Sequence, residues 1–167
     1  TIGCELSNQG LDAMADWQRR NLIPGLAFLR LEPTADQQTF DDYYAKKSLS
    51  FPVVRDIDMK IANALGTTIY PRFALIDKFG RVRYRGNQPT EKDISDWTRQ
   101  LQGEKTDAGS KAKMFGSTVL DNTALLASTK LPNLDGAVKS LTEYQGKQGL
   151  LLTFVDTRCP FSAKASQ

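Results

Sequence analysis

The stretch "GLLLTFVD" at 149–156 constrains the fold more than any other part of this sequence. Between Leu150 and Val155 only Thr153 interrupts the apolar run. A strand with one wet face alternates apolar and polar residues. A strand that does not alternate is covered on both faces, and such strands usually lie in the middle of a parallel sheet. The run over 149–155 therefore predicts a central strand, and with it a sheet that has helices on both sides.

The rest of the chain can supply such a sheet. Leu6, Leu11, Ala13, Met14 and Trp17 fall on one side of a helix over 5–20 at ~100° per residue. Gly25 to Leu31 reads as a buried strand, and 34–47 as a helix with Phe40, Tyr43 and Tyr44 on one face. "FPVV" at 51–54 is a short strand, confined to an edge by its Pro. Ile57, Ile61 and Leu65 predict a helix over 56–66 that stops at Gly66, with Asp56 and Asp58 as caps. "RFALID" (72–77), a turn at "KFG" and "RVRYRG" (81–86) read as a β-hairpin. Its three alternating Arg predict a solvated edge, and Asp77 a structural turn. Residues 90–103 form a helix with a Thr-x-x-Asp start and an apolar stripe of Ile94, Trp97 and Leu101. Trp17 and Trp97 both read as core. Composition changes at 103–118 to a linker-like mixture of Gly, Ser, Lys and Ala, and 119–131 is ambiguous. A strand around 137–141 precedes the one at 149–155.

Composition excludes several function classes. A net charge of +3 with no basic block does not support nucleic-acid binding. No apolar run approaches the ~18–20 residues of a membrane span. No signal peptide is visible, which says little because the chain does not start with Met. The absence of His removes His-based triads, metal sites and general bases together. The two cysteines, Cys4 and Cys159, allow one bridge, two free thiols or two separate sites.

The segment "FPVVRDIDMKIANALGTTIYPRFALIDKFGRVRYRG" (51–86) resembles the back half of a thioredoxin-like redoxin, of the kind found in exported thiol-disulfide oxidoreductases and peroxiredoxin relatives. "PNLDG", "SLTEYQGK", the apolar strand and Cys-Pro, over 132–162, resemble the front half of the same family. The halves are in reversed order. The chain is either a circularly permuted single domain or a piece cut from tandem redoxins. "TIGCELSN" (1–8) laid over "DTRCPFSA" (156–163) aligns Cys on Cys and Ser on Ser, at an offset of 159 − 4 = 155 residues, about one domain length.

The resemblance implies an α/β, thioredoxin-like central mixed sheet flanked by helices, in permuted order or domain-swapped. Residues 1–103 would be the back half, 104–131 a linker and ambiguous segment, and 132–167 the front half. That front half would either complete the same fold or begin a second repeat. In the family, the strand before the redox Cys is central; its neighbours here would be 25–31 and 72–77. The insertion of 132–158 could occur within one chain or between two, giving a monomer or a swapped dimer.

The resemblance also implies a site. A Cys at a helix N-terminus has its thiolate stabilised by the helix dipole and free N–H groups. Cys159 and Cys4 are the candidate nucleophiles. Both read Cys-x-x-Ser ("CPFS", "CELS"), so neither motif closes a local disulfide. Three outcomes then remain: a single Cys resolved by an outside thiol, Cys4 and Cys159 resolving each other, or two relic cysteines in a binding module. Pro71 corresponds to the family's cis-Pro, which lies against the redox Cys, and its neighbours Tyr70 and Arg72 are candidate substrate contacts. The bland alternative for Arg72 is a surface residue at a strand start. The implied partners are protein or small-molecule thiols and disulfides, with no metal or other cofactor, in a periplasmic or otherwise exported location. The alternative is a non-catalytic interaction module of a larger multidomain protein.

Overall fold

The computed structural model describes residues 5–33, 36–45, 49–67, 72–104 and 128–154. The first helix, α1 (Glu5–Arg19), buries Met14 and Trp17, the residues its 3.6-residue spacing puts on one side. It leads into β1 (Leu26–Glu32), which is buried along its length except at Ala27. Helix α2 (Gln37–Tyr44) starts at Asp36, whose carboxylate accepts a hydrogen bond from the Thr39 amide at 3.1 Å. It seats Phe40, Tyr43 and Tyr44 in the interior. Strand β2 is short, Val53–Arg55.

The helix expected over 56–66 is broken. A 3-10 turn at Ile57–Met59 precedes α3 (Lys60–Ala64), and Asp58 and Met59 both take left-handed backbone angles (φ 64° and 52°). The cause is the buried carboxylate of Asp56. It accepts from the amides of Ile61 at 3.0 Å and Ala62 at 2.8 Å, so the capping residue lies four residues before the first residue of the helix it serves and the chain between must loop out. Ile57, expected on the apolar stripe, is only half-buried.

The hairpin consists of β3 (Arg72–Asp77) and β4 (Val82–Gly86). Its arginines correct the expectation of a solvated edge: Arg81 and Arg83 are buried, 7% and 0% exposed. The Asp77 carboxylate accepts from Arg81 Nε at 2.8 Å and Arg83 Nη1 at 3.0 Å, and Glu104 holds Arg83 from the other side at 2.8 Å. Glu104 directly follows α4 (Glu91–Gly103), a helix that starts in a reciprocal capping box between Thr90 and Asp93. Two three-residue strands, β5 (Lys130–Pro132) and β6 (Val138–Ser140), pair with each other. A 3-10 turn at Leu141–Tyr144 leads to the last strand, β7 (Gly149–Phe154).

The main sheet has the order β2-β1-β7-β3-β4. Strand β7 lies in the middle, parallel to β1 (Leu26 opposite Gly149 through Leu31 opposite Phe154) and antiparallel to β3 (Arg72 opposite Phe154 through Asp77 opposite Gly149). The protein is thus α/β, with a five-stranded mixed sheet flanked by helices. All six β7 residues are buried. Leu150, Leu152 and Phe154 enter the core that holds Leu29, Ile61 and Leu65; Leu151 enters the opposite core with Met14, Phe28 and Ile94. Two apolar cores, one per face, are why the sequence does not alternate. Burying these four side chains is worth about 1.5–3 kcal/mol each. Their sum, roughly 6–12 kcal/mol, rivals the whole net stability of an ordinary domain, about 5–15 kcal/mol. The entry to β7 is equally tight. Gly149 has φ 148°, and a Cβ there would overlap the Ile76 carbonyl.

Candidate functional site

The sheet order brings several chain ends to one edge. Strands β1 and β7 run parallel and finish at this end, at Glu32 and Phe154, while β3 starts there at Arg72 and β4 finishes there at Gly86. Arg72 is the register partner of Phe154. Helix α1 starts over the same end: a Cβ on Gly10 would stand 3.0 Å from Cζ of Phe73, the second residue of β3. In open α/β sheets, ligands bind outside the carboxyl ends of the strands. This edge is therefore where a site is to be sought.

Of the five residues singled out from sequence, Cys4, Tyr70, Pro71 and Cys159 lie outside the described residues. Along the chain, Cys4 immediately precedes α1, Tyr70 and Pro71 immediately precede β3, and Cys159 follows the end of β7 by 159 − 154 = 5 residues. Arg72 is described. It is half-buried and donates from Nη1 to the side-chain oxygen of Asn87. The Tyr84 hydroxyl donates to the Asn87 carbonyl at 2.8 Å, and the Tyr84 ring stacks on Trp97 at 4.4 Å between centroids. Burial, reinforced by Asp93, pushes the Tyr84 phenol above its ordinary pKa, and the Arg72 charge partly offsets this. Tyr84 is thus a neutral donor at physiological pH, and Asn87 is the clamp that orients Arg72.

Sequence reasoning missed two residues here. Arg85 stands opposite Ala74 on β3 and shares the α3 face of the sheet, where its Nη1 donates to the Leu65 carbonyl at the end of α3. Thr67, 4% exposed, donates its amide to the Ala62 carbonyl at 2.7 Å, while its hydroxyl has no hydrogen-bond partner among the described residues. Together with Gly66, Arg72 and Gly86, these two residues line a hollow of about 220 Å³ beside the start of β3. The only sequence signal for Arg85 was the alternation of "RVRYRG", and a register shift between Leu75 and Ile76 breaks that alternation, putting Val82 into the same core as Ala74.

Among the described residues, no group of three or more Cys, Asp and Glu is placed to hold a metal ion. None of their helices is long and apolar enough to cross a membrane. No family model, curated protein or solved structure matches this chain.

Proposed function

We propose that this chain is a thioredoxin-like domain in permuted order that performs thiol-disulfide or thiol-dependent redox chemistry through a single cysteine. The observation that carries this reading is the position of β7, parallel to β1 and antiparallel to β3, which brings the end of β7, the start of β3 and the start of α1 to one sheet edge. The two cysteines of the sequence follow the first of these ends and precede the last.

In the proposed reaction, the Cys159 or Cys4 thiolate attacks one sulfur of a substrate disulfide. That S–S bond breaks, a mixed disulfide forms, and the departing thiolate takes a proton from water. Because both motifs are Cys-x-x-Ser, a second thiol from outside attacks the mixed disulfide and releases the enzyme thiolate. The outside thiol supplies the reducing electrons. Tyr70, Pro71 and Arg72 hold the substrate, and the partners are protein or small-molecule thiols in an exported compartment.

The test is pH-dependent alkylation of the wild type, Cys4→Ser and Cys159→Ser. One thiol is expected to react well below the ordinary value near 8.5, as a thiolate stabilised at a helix start does. Two thiols that titrate near 8.5 or resist alkylation would instead favour the second reading, a non-catalytic interaction module. The absence of a second thiol in either motif is the observation on that side.

A further inference from the structure

The hollow beside β3 has the makings of a binding site that does not depend on any cysteine. Among the described residues it is lined by Gly66, Thr67, Arg72, Arg85 and Gly86, a set with two arginines and no carboxylate. Each guanidinium carries five N–H donors. Arg85 commits one to the Leu65 carbonyl and Arg72 one to Asn87, and among the described residues neither forms an ion pair. Every other buried arginine on this hairpin is neutralised, Arg81 and Arg83 by Asp77 and Glu104. The two charges at the hollow are the exception.

The Thr67 hydroxyl is the independent sign of a ligand. It belongs to a side chain that is 4% exposed, and among the described residues it has no hydrogen-bond partner. A buried polar group without a partner is costly, and native structures keep few of them. The backbone is also shaped for close approach: Gly66 has φ 60°, and a Cβ there would come within 2.6 Å of Arg85 Nη1, displacing the guanidinium from its seat.

We infer that the Thr67–Arg72–Arg85 hollow binds a small oxyanion group, a phosphate or a carboxylate. Arginine forks match the planar or tetrahedral oxygens of such groups, and the hydroxyl of Thr67, a residue that lines the hollow, would add a further donor. The site would hold its anion whether or not the protein turns over thiols, so the failure of one reading leaves the other standing.

The experiment titrates the full chain with inorganic phosphate and, separately, with acetate, following backbone amide shifts by NMR at low ionic strength. Saturable shifts centred on Thr67, Arg85 and Gly86 are expected with at least one of the two. Saturation by phosphate alone assigns a phosphate group, by acetate alone a carboxylate, and by both a general oxyanion site. Arg85→Gln should weaken binding about tenfold or more, the scale of a lost charged hydrogen bond. Thr67→Val should also weaken it, yet melt no lower than the wild type, because it deletes an unpartnered hydroxyl at nearly constant shape. Should Arg85→Gln fail to fold, Thr67→Val decides alone. Lys139→Gln, on β6, is the control for net charge and should shift affinity less than about twofold. The proposal is overturned by the absence of saturable shifts up to about 10 mM of either anion, by equal losses in Lys139→Gln and Arg85→Gln, or by a Thr67→Val protein that binds phosphate and acetate as the wild type does.

Discussion

Arg83, wholly shielded from solvent, donates from Nη1 to the Asp77 carboxylate at 3.0 Å, which ties the far strand of the hairpin to the end of the strand beside it. Its other amino group reaches Glu104 at 2.8 Å and so fastens the end of α4 to the same hairpin. Removing Arg83 leaves one fully buried and one partly buried carboxylate with Arg81 as their common cation. Arg83→Met is expected to cost about 3 kcal/mol, the low end for a broken buried pair because Arg81 remains. The melting temperature would then fall by roughly 6–12 °C. A melt within about 2 °C of the wild type would show that the cluster is not an anchor.

Tyr44 donates to the buried carboxylate of Glu32 at 2.9 Å, and burial pushes the phenol far above its ordinary range, so it donates at every accessible pH. Tyr44→Phe keeps the ring and deletes the donor. Hydrogen bonds to charged groups are worth about 1.5–3 kcal/mol. A loss of that size in urea denaturation is expected, with an unchanged slope against denaturant.

Thr90→Ala should lower stability by about 1 kcal/mol by opening the capping box of α4. The effect depends on pH in a defined sense. The Thr90 hydroxyl, followed by its amide, holds the Asp93 carboxyl below its ordinary 3.8. A carboxyl with a lowered folded value contributes stability above the unfolded value and loses it as pH falls through the folded one. The lead of wild type over Thr90→Ala should therefore be constant above pH 3.8 and narrow below it. A lead that widens in acid would contradict the assignment.

Leu152 is fully buried at the middle of β7, opposite Leu29 on one side and Ala74 on the other. Leu152→Ala should cost about 2–5 kcal/mol through lost burial and the cavity it leaves. Val138→Ala, at a side chain 57% exposed on β6, should stay within about 0.5 kcal/mol. Equal effects at the two positions would argue that β7 is not central in solution.

Because β7 pairs with β1 and β3 of its own chain, light scattering should report the mass of one chain, 18.6 kDa, across a wide concentration range. Twice that mass would point to exchange of β7 between copies.

The parts legible in the sequence were those governed by local pattern. The unalternating run at 149–155 announced a two-faced strand, the Thr90-x-x-Asp93 start announced a helix, and the Phe-Gly turn announced a hairpin. What stayed hidden depended on contacts far along the chain. The burial of Arg81 and Arg83 needs Glu104, more than twenty residues away. The break at Asp58 needs the depth at which Asp56 is buried, and β5 is held by partners that its own three residues do not name. At the candidate site, Arg72 was legible from its place after Pro71. Arg85 and Thr67 were not, because only folding brings the end of β4 against the end of α3.

The central position of β7 also sets a timetable for synthesis. The sheet's two inner edges, on β1 and β3, exist as soon as Asp77 has been made, but the strand that joins them begins 149 − 77 = 72 residues later. At about 5–20 residues per second, a ribosome leaves those edges unjoined for roughly 4–14 s. Over that interval, the nascent chain displays two adhesive strand borders with nothing between them. Slow translation between the hairpin and β7 is thus the condition under which this protein is most exposed to aggregation, and the one in which a holdase would matter most.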